Sequence, residues 1–292
     1  MHRPTKMDGF FMVNLNGNLL ASNEANLPIN NRAVNYGDAV FETLRYASGK
    51  INFWEDHYFR LMASMRILRM EIPMNFTMEF LEAEINRTIK STEKPEATFR
   101  VKLLVWRKTG GKYAPETNDV EYAISYENLD DPFYLLRESA YEIELFKDHY
   151  ITSGLLSTLK TTNRLINILG SIYAKENEYD NCLLLNESKQ VVEALNGNIF
   201  LVSRNNIKTP PLADGCLNGI LRKQLIGIIK LMPELTFEEK SISPFELQKA
   251  DEIFITNTIQ GIIPVTKYRK KDFVNATAKM LLPKLNLKAR LG

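Results

Sequence analysis

Four stretches hold side chains that could do chemistry rather than fill space. Leu159-Lys160-Thr161-Thr162-Asn163-Arg164-Leu165 places Lys160 just ahead of an apolar helix pattern. A lysine amine titrates near about 10.4 in water, so it acts as a nucleophile or base only where its neutral form is favoured. Val192-Glu193-Ala194-Leu195-Asn196-Gly197-Asn198-Ile199-Phe200 sets a carboxylate among strand-forming residues. In Leu217-Asn218-Gly219-Ile220-Leu221-Arg222, the residues Gly219, Ile220 and Leu221 lie where a helix should begin. Unpaired backbone N–H groups at such a point suit an anion, and a glycine allows close approach. Thr256-Asn257-Thr258-Ile259-Gln260-Gly261 could add a hydroxyl and an amide. Taken singly these residues are ordinary, since most lysines and glutamates of a folded chain are solvated.

Other chemistries have less support. His2, His57 and His149 lie far apart, so nothing in their spacing suggests a metal site. Cys182 and Cys216 form no C-x-x-C motif. No disulfide framework or zinc site is expected, and the cytosol is the default compartment. A net charge of +2 over 292 residues argues for neither a nucleic-acid nor a membrane partner. The densest basic run, Lys267 to Lys271, reads as a solvated surface segment. Met1 to Gly9 mix charge with Pro4 and Thr5, and the apolar stretch Phe10 to Val13 is too short for a signal core or a membrane span.

The elements that must position these residues are legible in outline. Phe10 to Val13, Asn16-Gly17 and Leu19-Leu20 spell a hairpin, because Asn-Gly suits a type I′ turn. After Asp56, the residues Tyr58, Leu61, Met62, Met65 and Leu68 recur at helical spacing, and Phe80 to Ile89 predicts a second helix. Ala97 to Trp106 and Val120 to Tyr126 alternate as strands do. The polar stretch Glu127 to Pro132 is the best linker candidate. Beyond it, Tyr141 to Phe146 predicts a strand. Leu165, Ile166, Ile168, Leu169, Ile172 and Tyr173 predict one apolar helix face, with Thr162 or Asn163 as N-cap. Short strands are expected at Cys182–Leu185, Val191–Glu193, Asn198–Val202 and Glu252–Thr256, with a helix from Gly219 to Lys230. Strands and helices mixed in two halves predict an α+β architecture with a cleft between domains.

In this order and spacing the four motifs resemble the class IV aminotransferase family, the fold-type IV enzymes that use pyridoxal 5′-phosphate (PLP). The resemblance runs from Asn30 to about Val265. It implies a two-domain fold with a smaller N-terminal α/β domain over 1–128, an interdomain linker over 129–137 and a larger PLP-binding domain over 138–292. It implies that Lys160 carries the cofactor covalently and later moves the proton at the reacting carbon. Glu193 would face the pyridine nitrogen and keep the ring protonated. Gly219, Ile220, Leu221, Asn257 and Thr258 would hold the phosphate end. Arg60, in His57-Tyr58-Phe59-Arg60-Leu61, matches the family's phosphate-contacting arginine, and Arg222 matches another whose role is less defined. A homodimer is implied too, since family members complete the cleft with a loop from the neighbouring subunit.

The family includes branched-chain aminotransferases, D-amino-acid aminotransferases and 4-amino-4-deoxychorismate lyases. Tyr36 to Arg45 matches its first cleft segment, and there branched-chain enzymes usually read F-E-G where this chain has Phe41-Glu42-Thr43. They also carry N-Y after the lysine, where this chain has Asn163-Arg164. The stretch Arg107 to Pro115 lacks the histidine of the D-amino-acid enzymes' R-x-H carboxylate trap. K-x-x-N-R-L, F-E-T, G-G-x-Y and T-N-[ST]-x-Q resemble the lyases more. That likeness gives Thr43 a part in proton transfer, and Tyr36, Lys112 and Tyr113 a part in substrate binding, although lyases more often place arginine at Lys112. The expected reaction converts 4-amino-4-deoxychorismate to 4-aminobenzoate and pyruvate. The alternative is an amino-acid transaminase. A lesser one is a non-catalytic, ligand-binding homologue, which would have no use for both Lys160 and Glu193.

Overall fold

The computed structural model describes residues 11–291. Two compact units divide the chain between Pro132 and Phe133. Phe10, at the start of the expected hairpin, and His2 lie outside the described residues.

In the first unit the chain runs β1 (Met12–Leu15), β2 (Asn18–Ala21), α1 (Arg32–Tyr36), β3 (Ala39–Ala47) and β4 (Lys50–Ile51). It continues through α2 (Trp54–Ile67), α3 (Met78–Lys90), β5 (Thr98–Arg107) and β6 (Val120–Leu129). The strands form one antiparallel sheet in the order β2-β1-β6-β5-β3-β4. Asn16 and Gly17 both take positive φ, 51° and 85°, as a type I′ turn demands. Strand alternation sends Val40, Glu42 and Leu44 to one face of β3 and Phe41, Thr43 and Arg45 to the other. The first face packs on the helices, and Leu44, Leu61, Met65, Leu81, Ile85, Val101 and Leu103 form the fully buried centre of this core. Thr77 caps α3, its hydroxyl accepting from Phe80 N–H at 3.2 Å.

The second unit begins with β7 (Glu142–Ile151), a 3-10 turn (Leu155–Thr158), α4 (Leu165–Glu176), β8 (Asn181–Asn186), β9 (Val191–Ala194), β10 (Asn198–Ser203) and β11 (Asn206–Thr209). Next come α5 (Ile220–Ile229), β12 (Thr236–Glu239), α6 (Pro244–Leu247), β13 (Glu252–Asn257), β14 (Gly261–Pro264), β15 (Lys267–Tyr268), β16 (Lys271–Asp272) and α7 (Ala276–Leu291). Two five-stranded sheets result, ordered β12-β11-β10-β13-β14 and β16-β15-β7-β8-β9. Ile143, Leu183 and Val191 from one sheet meet Ile199, Ile253, Ile255 and Ile263 from the other in a single apolar core. Helix α4 lies on β7 and β8, while α5 and α7 cover the first of these sheets.

Five expectations need correction. Helix α2 begins at Trp54, before Asp56. Strand β6 runs on through Glu127, Asn128 and Leu129, because β5 offers them backbone partners at Arg100, Phe99 and Thr98; polar side chains did not end a strand whose ladder continued. The N-cap of α4 is Arg164, which makes no side-chain cap bond, rather than Thr162 or Asn163. The apolar residues of α4 also divide into two sets. Ile166, Leu169 and Tyr173 pack on Phe146 and Leu184, whereas Leu165, Ile168 and Ile172 are exposed. The basic run Lys267 to Lys271 is partly paired rather than wholly solvated, with Lys267 bonded to Glu142 at 2.9 Å and Arg269 to Glu144 at 3.2 Å.

Candidate active site

The second unit gathers the four motifs around the ends of β9, β10 and β13. Glu193, on β9, is 5% exposed, and its Oε2 accepts from the backbone N–H of Leu217 at 2.8 Å. That bond fixes the loop leading into α5 beside the carboxylate. Asn198, opening β10, donates to Leu217 O at 2.9 Å and so braces the loop from below. It lies opposite Thr256 in the β10–β13 pairing, which brings the Thr256-Asn257-Thr258 turn alongside. The Lys160 segment joins through its preceding turn, where Asn218 N–H donates to Thr158 O at 3.2 Å.

Each part has a local reason for its shape. Gly219 is the N-cap of α5 and supplies no side-chain cap. The first backbone N–H groups of α5 therefore have no acceptor within the helix. A Cβ at Gly219 would sit 1.9 Å from Asn198 Oδ1, so a larger residue would have to displace the Asn198 amide that braces the loop. Asn257 Oδ1 accepts from Ile259 N–H at 3.1 Å and Gln260 N–H at 2.8 Å, folding the turn back on itself. Tyr134 donates its hydroxyl to Thr258 O at 3.0 Å and holds the turn from outside. Arg222 binds Pro210 O at 2.9 Å and Glu239 at 2.7 Å; these contacts give it an anchoring role for α5.

Electrostatics add a second constraint. Burial pushes the Glu193 carboxyl above its usual range, against the opposing pull of Leu217 N–H, Arg164 and Lys160. A carboxylate so placed is short of positive charge. A protonated pyridine nitrogen would supply it, and the N-terminus of α5 would offer donors to a phosphate. The residues present thus fit PLP: Lys160 to bind it covalently, Glu193 for the ring nitrogen, and Gly219, Ile220, Leu221 and Thr258 for the phosphate.

The remaining expected residues belong to the first unit. Arg60 grips Glu42 with two bonds, Nε to Oε1 at 2.8 Å and Nη2 to Oε2 at 2.5 Å. His57 Nδ1 lies 2.6 Å from the same Oε2. Arg60 and His57 hold the Glu42 carboxyl down at about 2 despite its burial. Thr43 is buried on the opposite face of β3, directly across from Lys102 of β5. The Lys102 ammonium lies over the Phe41 ring, 5.1 Å from its centre, and Arg45 stands two residues along β3 from Thr43. Tyr36, Lys112 and Tyr113 come together around Arg32. Its guanidinium donates to Gly110 O at 3.1 Å and Lys112 O at 2.5 Å, and lies 5.0 Å from the Tyr36 ring centre. The Tyr36 and Tyr113 rings are 5.7 Å apart.

Sequence reasoning missed Arg32, Lys102 and the bracing role of Asn198. Asn198 lies inside a quoted motif and Lys102 faces Thr43 by strand register, so both carried a signal. Arg32 stood outside every quoted motif; its Nε pairs with Asp38 Oδ2 at 2.9 Å and its other partners are backbone carbonyls.

A two-domain α+β chain with this cluster is a fold-type IV enzyme. The amino-transferase class IV family matches residues 39–268, and the chain belongs to that family of PLP-dependent aminotransferases and lyases. It is 29% identical over 87% of its length to a putative branched-chain-amino-acid aminotransferase of Methanocaldococcus jannaschii, covering 86% of that protein. It is 27% identical to a D-alanine aminotransferase of Listeria innocua, over 87% of this chain and 86% of that one. An aminodeoxychorismate lyase of Vibrio harveyi is 22% identical over 83% of this chain and 88% of its own. The branched-chain aminotransferase of Thermoproteus uzoniensis, solved with norvaline, superposes with a TM-score of 0.83 at 26% identity, over 97% of this chain and 94% of that one. Among the described residues, no helix is long and apolar enough to cross a membrane.

Proposed function

We propose that the enzyme is a 4-amino-4-deoxychorismate lyase. The observation that carries this reading is the pairing of Thr43 with Lys102 on one face of the β3–β5 ladder, with Arg45 beside them. A hydroxyl flanked by cations suits a substrate with two carboxylates better than one with an apolar side chain. When bound, PLP supplies the electron sink. Lys160 Nζ would take the proton from the ring carbon that bears the amine, and a proton would return to the methylene of the departing enolpyruvyl group; Thr43 has the part in proton transfer that the family resemblance implies. The enolpyruvyl group leaves from the neighbouring carbon as pyruvate, and the ring becomes aromatic. Glu193 would hold the proton on the cofactor's ring nitrogen. The family resemblance gives Tyr36, Lys112 and Tyr113 a part in substrate binding and gives Arg60, paired with Glu42, a phosphate contact. The active form is a homodimer, and two free, buried thiols suit the reducing cytosol.

The second reading is an amino-acid transaminase, favoured by the branched-chain relative at 29% identity. The two part on one requirement, since a lyase needs no amino acceptor. PLP-loaded protein given aminodeoxychorismate alone should make 4-aminobenzoate, and Lys160→Ala should abolish it. Thr43→Val, which removes only the hydroxyl, should weaken lysis more than any transamination. Transfer from leucine or alanine to 2-oxoglutarate at ordinary rates, ~10 s⁻¹, without any 4-aminobenzoate, would establish the transaminase instead.

A further inference from the structure

We propose that Arg164 is the positioning residue for Lys160, clamping the backbone on both sides of it. Its Nε donates to Thr161 O at 3.1 Å and its Nη2 to Leu159 O at 2.8 Å. These are the carbonyls of the two residues that flank Lys160. The inference rests on the reading that Lys160 carries the cofactor.

The placement is unusual for a helix start. An N-cap side chain ordinarily accepts from the first N–H groups of its helix, which a guanidinium cannot do. Arg164 holds that position on α4 and makes no cap bond. Its fork turns back instead across the Lys160 segment, and a planar, permanently charged fork can hold two carbonyls at fixed separation. Leu159 is 5% exposed and seated in the protein, and Thr158 O is held by Asn218 N–H. With those anchors the backbone is held at Thr158, Leu159 and Thr161, on both sides of Lys160. That is what a residue needs if it must bind covalently, let go and then return as a base at a fixed distance. Arg164 also lies near enough to Glu193 to favour its ionised form, so one side chain serves both ends of the cofactor site.

The test uses PLP-loaded wild type, Arg164→Leu and Arg164→Lys. Borohydride fixation of the cofactor is timed and mapped to a peptide, and circular dichroism is recorded in the cofactor's visible band. That dichroism reports the cofactor's fixed orientation and would not respond to a loss of global stability alone. In Arg164→Leu, fixation at Lys160 should slow by about tenfold or more, the scale of a misplacement within one ångström, and the visible dichroism should fall by more than half. Arg164→Lys keeps the charge but replaces the fork with a point donor, so it should lie between the two. Wild-type dichroism and fixation in Arg164→Leu would overturn the proposal and leave Lys160's role standing. Should Arg164→Leu fail to fold, wild-type behaviour of Arg164→Lys would overturn it in the same way. Fixation of the wild-type cofactor on another lysine would overturn both the proposal and the reading beneath it.

Discussion

Glu193 is expensive to keep ionised without the cofactor. Burial raises its pKa, so the folded apo-protein binds that proton more tightly than the unfolded chain does and loses stability as pH rises from the ordinary carboxyl value through the raised one. Glu193→Gln should therefore melt at a higher temperature than wild type when both are free of cofactor at pH 7. The same variant should still bind PLP, because the phosphate grip at Gly219 to Leu221 is untouched. Turnover should nevertheless fall on the order of 10²-fold, since the charge facing the ring is gone. A variant that turns over like wild type would remove Glu193 from the mechanism, and a lower apo melting temperature would contradict the strain. Burial acts on the cysteines in the same direction. Cys182 and Cys216 are fully buried, and burial pushes both thiols up to about 12. Neither should react with a thiol reagent at pH 8 until the protein unfolds; prompt labelling of the native protein would refute this.

At the scale of elements, strand β3 does two jobs through its alternation. Thr43 serves one face, and Glu42 on the other ties the strand to α2 through Arg60 and His57. The depressed Glu42 pKa contributes stability that is fully present above the ordinary value of 4.5 and is lost as pH falls toward about 2. Glu42→Gln should cost roughly 3–5 kcal/mol, the scale of breaking a buried ion pair. Its loss of stability between pH 4.5 and 2 should be shallower than that of wild type. Denaturant melts across this range check both statements, and parallel pH curves would show that the pair does not titrate as described. The elements also show what sequence can carry. The Asn16-Gly17 hairpin, the alternation of β5 and the helical spacing of α2 were legible because each depends on local chemistry. The overrun of β6 was not, because its continuation is decided by a partner strand. Nor was the cap of α4, because Arg164 spends its side chain on the Lys160 segment instead of on the helix. The motif residues on β9, α5 and β13 could be named from order and spacing, yet the bonds joining Glu193, Leu217 and Asn198 exist only once the sheets have formed.

At the scale of the molecule, the apolar surface asks for a partner. Leu165, Ile168 and Ile172 form a stripe along α4 with exposures of 67%, 54% and 48%, and Leu155 and Leu156 of the adjacent turn are 62% and 65% exposed. Their spacing puts the three α4 residues on one stripe of the helix, while Ile166, Leu169 and Tyr173, on the neighbouring stripe, fill the core. A monomer would leave that stripe in water, and contiguous apolar patches of this kind usually mark an interface. The exposed Tyr36 and Tyr113, held on a rigid Arg32 clamp, are likewise suited to meeting a surface beyond their own loop. Two copies related by a two-fold axis would present the same patch to each other, so a single charge placed in it is felt twice. Wild type should sediment as a dimer at micromolar concentration. Ile168→Asp should weaken association by about 100-fold or more, equivalent to over ~2 kcal/mol for a central contact, and shift the species toward monomer. If the α1 and Gly110–Tyr113 surfaces act in a neighbour's cleft, turnover per chain should fall with the dimer fraction while PLP stays bound to each monomer. An Ile168→Asp protein that is monomeric and fully active would show that each chain completes its own site.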